Sequence, residues 1–426
     1  MTAAPDRTVA PPAYPDLLRV FGRIGLLSFG GPAAQIALMH RELVEERDWL
    51  SEADFLRALS LCMLLPGPEA MQLATYAGWR LRGVPGGLIA GGLFVLPGAV
   101  LIAALVALYT AFGALPLVQA GFLGIKAAVI VIVIQALRGL ARKALTTPTA
   151  RIVAGLSFAA IFALNLPFPL IVAGAALWGW IAGRDATIAD APRPPVTTAT
   201  PLRTALGWLV LWLGPLALLS TLGAPLLAQV GWFFAWLAVI SFGGAYALLA
   251  YMTQTVVETH GWITTAQMID ALGLAETTPG PLILVTQFVA MLTGQLQGGA
   301  VLALAAGAVA LWATFVPCFL WIFLAAPYLD RLAARPRLSA ALSGVTAAVA
   351  GVILNLSLWF ALHVLFGRVT ALDSGPVSLP LPVLATLDPV ALGLVALAAG
   401  LMLWARRGIG PTLGVMAAAG LLVGVL

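Results

Sequence analysis

The chain has 426 residues, of which 61% are hydrophobic and only 9% charged, with a mean hydropathy of +1.02. An ordinary soluble protein carries roughly 25% charged residues, and a soluble domain this apolar would expose too much hydrocarbon to stay dispersed. A soluble enzyme, a secreted disulfide module and a disordered chain are excluded. What remains is an all-α polytopic membrane protein, with apolar sequence for roughly ten to thirteen spans of about 20 residues each.

The net charge of +5 reflects 22 Lys and Arg against 17 Asp and Glu. The basic residues fall in short loops between apolar runs, the pattern that orients membrane helices with positive loops in the cytoplasm. They are therefore assigned to topology and not to a nucleic-acid partner. Cys62 and Cys318 lie in apolar runs, with neither disulfide nor metal spacing, so no metal or cofactor is expected. Residues 1–15 read as a cytoplasmic tail without the apolar core of a cleavable signal.

Residues 16–82 hold two helical stretches, interrupted at Ser28-Phe29-Gly30-Gly31-Pro32 and at Pro66-Gly67-Pro68. Ordinary spans are predicted at 84–112, 117–140, 150–165 and 167–183. A Pro-rich polar stretch over 184–202 is the candidate linker, and one connecting span follows at 203–222. Residues 228–297 form a second broken region, interrupted at Ser241-Phe242-Gly243-Gly244 and Pro279-Gly280-Pro281. Spans at 299–325, 337–365, 388–405 and 409–426 close the chain. The organisation is a first repeat at 16–183, a linker with its connecting helix at 184–227, and a second repeat at 228–426.

The two broken regions are copies of one another. A shift of 213 superimposes both breaks and also Glu45 on Glu258 and Trp49 on Trp262, with 17 identities in the 41 positions from 28 to 68. Composition bias supplies a few Ala and Leu matches but does not place SFGG, Trp and PGP in one register. Assigning the Arg-rich loops to the cytoplasm makes span 84–112 run outward and its counterpart 299–325 run inward. The expected fold is therefore two inverted-topology repeats with broken or re-entrant helices near the membrane midplane, the architecture of a secondary transporter. Full crossing by the broken regions gives thirteen spans and re-entry gives nine; both stay open.

Irregular backbone is not tolerated against lipid, so the breaks must face protein or a water-filled cavity. Pro66 has no N–H, and Pro68 disfavours the helical region at Gly67 while suiting the first turn of a new helix. A free helix N-terminus at membrane depth follows, which suits an anion. A single such break would read as a packing kink; two in register shift the reading to a substrate site. The candidate substrate-binding residues are Ser28, Gly30, Gly31, Gln35, Gly67, Pro68, Gln72, Lys126, Ser241, Gly243, Gly244, Thr277, Thr278, Gly280 and Gln287.

Several of these have a plainer alternative. The glutamines suit a dianion that must be released, or else bond between helices. Thr277 and Thr278 offer hydroxyls to an oxyanion, or bond back to helix carbonyls. Lys126 meets the anion, pairs with a carboxylate such as Glu69, or snorkels outward. Glu69 and Glu276 are the candidates for proton coupling or gating, with a helix cap as the alternative for Glu69. Arg19 and Arg23 attract anions or anchor the cytoplasmic face, Trp49 and Trp262 anchor at the interface, and the charged stretch 40–57 is a solvated turn.

The motifs SFGGP at 28–32, LLPGPEAMQLATYAGW at 64–79, GGLIAGGLFVLPG at 86–98, SFGGAYA at 241–247 and ETTPGP at 276–281 resemble the chromate ion transporter family, in its long, two-half form. The resemblance covers about 16–426. It implies a secondary transporter of the bacterial inner membrane that exports chromate, with sulfate as a chemically similar competitor, and confers chromate resistance. The halves differ where Glu69 faces Leu282, Pro32 faces Ala245 and Gln72 faces Val285. A channel-like anion conductor is the alternative; a homodimer is left open. A membrane enzyme would need clustered acids or histidines, which the spacing does not supply, so no catalytic residues are assigned.

Overall fold

The computed structural model describes residues 11–183, 200–242, 245–328, 336–375 and 377–425. The linker and the pair Gly243 and Gly244 lie outside the described residues. The first broken region comprises α1 (Tyr14–Leu27), α2 (Gly31–His40), α3 (Glu52–Leu64) and the start of α4 (Glu69–Phe112). Then come α5 (Pro116–Ala144), α6 (Pro148–Phe162), α7 (Phe168–Ala182) and α8 (Thr200–Thr221). The second broken region comprises α9 (Pro225–Ile240), α10 (Ala245–Gln254), α11 (Thr265–Glu276) and the start of α12 (Val285–Ala325). The chain closes with α13 (Pro336–Leu365), α14 (Pro389–Ala399) and α15 (Ile409–Val425).

Five described helices, or runs that include an adjoining turn, are long and apolar enough to cross a membrane, and five shorter apolar helical segments accompany them. The chain is a multi-pass helical membrane protein. The ordinary spans begin and end within a few residues of the sequence expectations. The loop at 366–387 contains an antiparallel hairpin, β1 (Val369–Ser374) with β2 (Val377–Pro382). Its alternating Val, Thr, Ser and Leu suit a two-stranded ribbon, and its Ser378 N–H is anchored on the Ala163 carbonyl at 2.9 Å.

The broken regions fold back on themselves. Arg23, near the end of α1, pairs with Glu42 just beyond α2, Nε to Oε1 at 3.4 Å. Had α2 continued across the bilayer, the 11 residues from Gly31 to Glu42 would have carried Glu42 about 16 Å beyond the break, away from Arg23. In the second half Phe233 of α9 meets Trp262, in the turn after α10, with ring centroids 5.6 Å apart. Each turn is closed in the same way, by a π turn (Arg41–Glu45, Thr255–Thr259) and then an N-cap, Ser51 to the Asp54 N–H and Thr264 to the Gln267 N–H. The stretch 40–57 is not wholly solvated: Glu42 is fully buried, held by Arg23 and by Arg47 at 2.6 Å. Trp262 is also buried.

Both long helices carry the same interruption, α4 at Arg82 and Gly83 and α12 at Gly298 and Gly299, where left-handed glycines turn a short arm into a long span. Elsewhere the spans pack through small residues that let backbones approach. A Cβ on Gly124 of α5 would run into the Met416 carbonyl of α15, and one on Gly351 of α13 into the Ala154 carbonyl of α6. Gly124→Val is therefore expected to destabilise the fold by about 1–3 kcal/mol, read as a lower melting temperature in detergent. Gly139→Ala, on the same helix with no atom within 4 Å of its Cβ position, is the control expected near wild type.

Candidate functional site

The two pairs of breaks meet. The Gly67 N–H of the first half donates to the Ser241 carbonyl of the second at 2.8 Å, and the Gly280 N–H of the second donates to the Ser28 carbonyl of the first at 2.9 Å. Each Pro-Gly-Pro thus docks on the serine carbonyl at the break of the other half. The glycines have φ of 118° and 90°, a region L side chains avoid, and the space is also closed to a side chain. A Cβ on Gly67 would lie 2.8 Å from Gln72 Nε2 and 3.0 Å from Cys318 Sγ, and one on Gly280 would lie 3.3 Å from the Phe94 carbonyl. Both breaks are buried against the opposite long helix, whose Gly98 lies beneath the Pro279 carbonyl.

The helices restart at this crossing. Pro68 caps α4, while a 3-10 turn at Leu282–Leu284 leads into α12 after Pro281. The second restart is thus a tighter turn than the helix expected. Both restarts line one cavity of about 20 Å³, formed by Pro32, Gln35, Pro68, Glu69, Ala70, Pro281, Leu282 and Ile283. The first N–H groups of a helix have no intrahelical acceptor, and Glu69 and Ala70 at the start of α4 line this space together with Leu282 and Ile283 of the 3-10 turn. Glu69 at one restart faces Leu282 at the other, which leaves the pair with a single carboxylate. The cavity has room for about one water.

The polar side chains around it are largely committed to backbone. Gln35 Nε2 donates to the Gly280 carbonyl at 2.7 Å and the Ser28 carbonyl at 3.2 Å, tying both breaks together. Gln72 Nε2 donates to the Pro66 carbonyl at 2.6 Å and Gln287 Nε2 to the Ala99 carbonyl at 2.9 Å. Their Oε1 atoms are buried without a hydrogen-bond partner among the described residues. A carbonyl can only accept, so the free atoms of these two amides are acceptors and not the donors expected for an anion, and neither residue lines the 20 Å³ cavity. The hydroxyls of Ser28, Thr277 and Thr278 return to the carbonyls of Ile24, Leu274 and Ala275 at 2.6, 2.7 and 2.8 Å. Gly30 and Gly31, at φ of 90° and 78°, form the turn that starts α2. Ser241 is buried at the crossing, while the described residues do not extend to Gly243 and Gly244.

Lys126 has a different carboxylate partner from the one named in the sequence reading. Its Nζ lies 2.7 Å from Asp270 Oδ1, and Tyr109 donates its hydroxyl to Asp270 Oδ2 at 2.8 Å. Asp270 is 3% exposed, while the Lys126 side chain that reaches it is 15% exposed. The triad joins α4 and α5 of the first half to α11 of the second. Asp270 carried no signal in the repeat alignment because it faces Arg57 there; its placement one turn after a capping box was the only hint. Glu276 is buried beside a second cavity of about 10 Å³ between α5, α11 and α13, apart from the crossing. Arg19 pairs with Asp16 at the surface.

The sequence was compared with known proteins. The family described as "Chromate transporter" matches residues 15–180 and 228–425. The chain is 33% identical over 363 residues to the "Chromate transport protein" of Cupriavidus metallidurans, covering 82% of this chain and 84% of that one. It is 32% identical over 415 residues to the "Probable chromate transport protein" of Synechococcus elongatus, covering 93% and 97%. It is 34% identical over 370 residues to the "Chromate transport protein" of Pseudomonas aeruginosa, covering 83% and 82%. No solved structure matches. With matches through both halves and over most of each relative's length, the chain belongs to the chromate transporter family.

Proposed function

We propose that this protein is a secondary transporter of the bacterial inner membrane that exports chromate by alternating access, with sulfate as a competitor, and so confers chromate resistance. The observation that carries this reading is the reciprocal docking of the breaks, which brings two helix starts to one cavity. The N-terminal dipole of α4 at this space favours an anion. The names of the relatives supply the choice of chromate.

The inverted arrangement is inferred from where the turns sit. Arg82, at the kink of α4, donates to the Pro12 carbonyl before α1, which supports setting the first turns at that end. Asp270, midway along α11, meets Tyr109 near the other end of α4, which supports setting the second turns at the opposite face. With both regions re-entrant, the topology proposed is the one of nine spans.

The crossing as it stands is closed, since it holds about one water. Substrate entry therefore requires the hairpins to part, first from one side and then from the other, with the hydrogen bonds of Gly67 and Gly280 exchanged in the cycle. An ionised Glu69 would repel a dianion at the same helix start, so anion binding favours its protonated form and links the two. A dianion leaving a negative-inside cell gains about 2.3 kcal/mol per charge per 100 mV, so the membrane potential alone suffices to drive export.

Labelled chromate is expected to accumulate in inside-out vesicles, saturably, with sulfate competing. Single-channel currents, or no accumulation of either anion, would overturn the carrier. Glu69→Gln should flatten the pH dependence of uptake; a profile identical to wild type would remove Glu69 as the coupling group. Gly67→Val should reduce flux roughly tenfold or more, one hydrogen bond of the crossing plus strain, at retained expression. Wild-type flux in that variant would reduce the break to a kink.

Lys126 is proposed to exchange its bond to Asp270 for the anion. Lys126→Met or Asp270→Asn alone strands a buried charge or its partner, at a cost of about 3–5 kcal/mol. The double variant should recover much of the melting temperature yet transport poorly. Normal transport in the double variant would assign the pair to structure only.

A further inference from the structure

Apart from the crossing lies a larger cavity of about 350 Å³ between α6, α10, α13 and the β-hairpin. By the loop charges it opens on the face opposite the Arg-rich loops, since α6 enters it with its C-terminal end at Phe162 and Asn165. At about 30 Å³ per water it holds on the order of ten waters. Its polar lining is selective in sign. The described lining residues include one carboxylate, Glu258, and no Lys or Arg, together with the amides of Asn165, Gln254 and Asn355 and the hydroxyl of Thr253.

Thr253 is 4% exposed, and its Oγ1 has no hydrogen-bond partner among the described residues. A buried hydroxyl left unpaired costs free energy unless a ligand or water meets it. It stands in the helix end that carries Glu258, one turn and a half before it, and Gln254 hydrogen-bonds that carboxylate. On α13, the His363 ring takes the Trp359 carbonyl at 2.8 Å through Nδ1. A carbonyl only accepts, so Nδ1 carries the proton, and in the neutral ring Nε2 is left as a lone pair. Carboxylate, amide and hydroxyl oxygens are the ligands of hard cations. A dianion would meet Glu258 with no basic residue to offset it.

We propose that this vestibule binds a partly hydrated monovalent cation, Na⁺ or K⁺, through Glu258 and Thr253. One carboxylate among neutral oxygens matches a single positive charge. Leu356 lines both this cavity and the 10 Å³ cavity beside Glu276, which has no room for a hydrated ion. The bound cation neutralises Glu258 on the face where the exported anion leaves.

The test uses the full-length protein in detergent, titrated with NaCl or KCl against choline chloride at constant ionic strength and pH, with melting temperature as the readout. A saturable rise with Na⁺ or K⁺ is expected, with its half-saturating concentration raised roughly tenfold in Glu258→Gln, the loss of one charged ligand. Thr253→Val should weaken it in the same direction, and it serves if Glu258→Gln does not fold. Equal curves in choline and metal chlorides would overturn the site. So would wild-type titrations in both variants, a response to Mg²⁺ alone, or a shift with pH but not with Na⁺ or K⁺, which would make the ligand a proton.

Discussion

Two hydrogen bonds hold the centre of this molecule: Gly67 N–H to the Ser241 carbonyl and Gly280 N–H to the Ser28 carbonyl. A break in a membrane helix frees donors and acceptors that lipid cannot satisfy. Here each half satisfies the other, so neither broken region is stable alone in the hydrocarbon. That mutual dependence explains why the breaks occur in pairs. It also explains why glycine stands at each centre, where a positive φ and a neighbouring long helix both exclude a side chain.

From that crossing the rest of the architecture follows. The short arms of α4 and α12 end at left-handed glycines, Gly83 and Gly299, where each helix turns into its long apolar span. The outer spans then wrap this core through close glycine contacts, where van der Waals packing and not hydrophobic transfer drives association. The buried charges follow the same logic. Glu42 is matched by Arg23 and Arg47 at one hairpin, and Asp270 by Lys126 and Tyr109 at the other. The two clusters are not copies, because the paired positions in the repeat carry different residues. The two halves thus share their backbone breaks and differ in their buried charges.

Much of the fold was legible in the sequence. The span limits follow from runs of apolar residues, and the duplication from SFGG, Trp and PGP in one register. The side chains at the site were less legible. Gln35, Gln72, Thr277 and Thr278 read either as donors for an anion or as partners of backbone carbonyls, and the bonds they make are to carbonyls. Sequence records the donor but not the acceptor that reaches it. Asp270 was passed over because its partner Lys126 lies far along the chain, and Glu42 because a charged stretch resembles a solvated turn.

The sequence by itself determined a helical membrane protein, its duplication, the positions of its four breaks and its family. These depend on composition and on local backbone rules for Gly and Pro, which act within a few residues. Only the tertiary structure decided that the broken segments turn back, that each break docks on the other half, and that Lys126 meets Asp270. The last two rest on contacts between residues more than a hundred positions apart, and the first on Arg23 with Glu42 and Phe233 with Trp262; no local pattern encodes those distances.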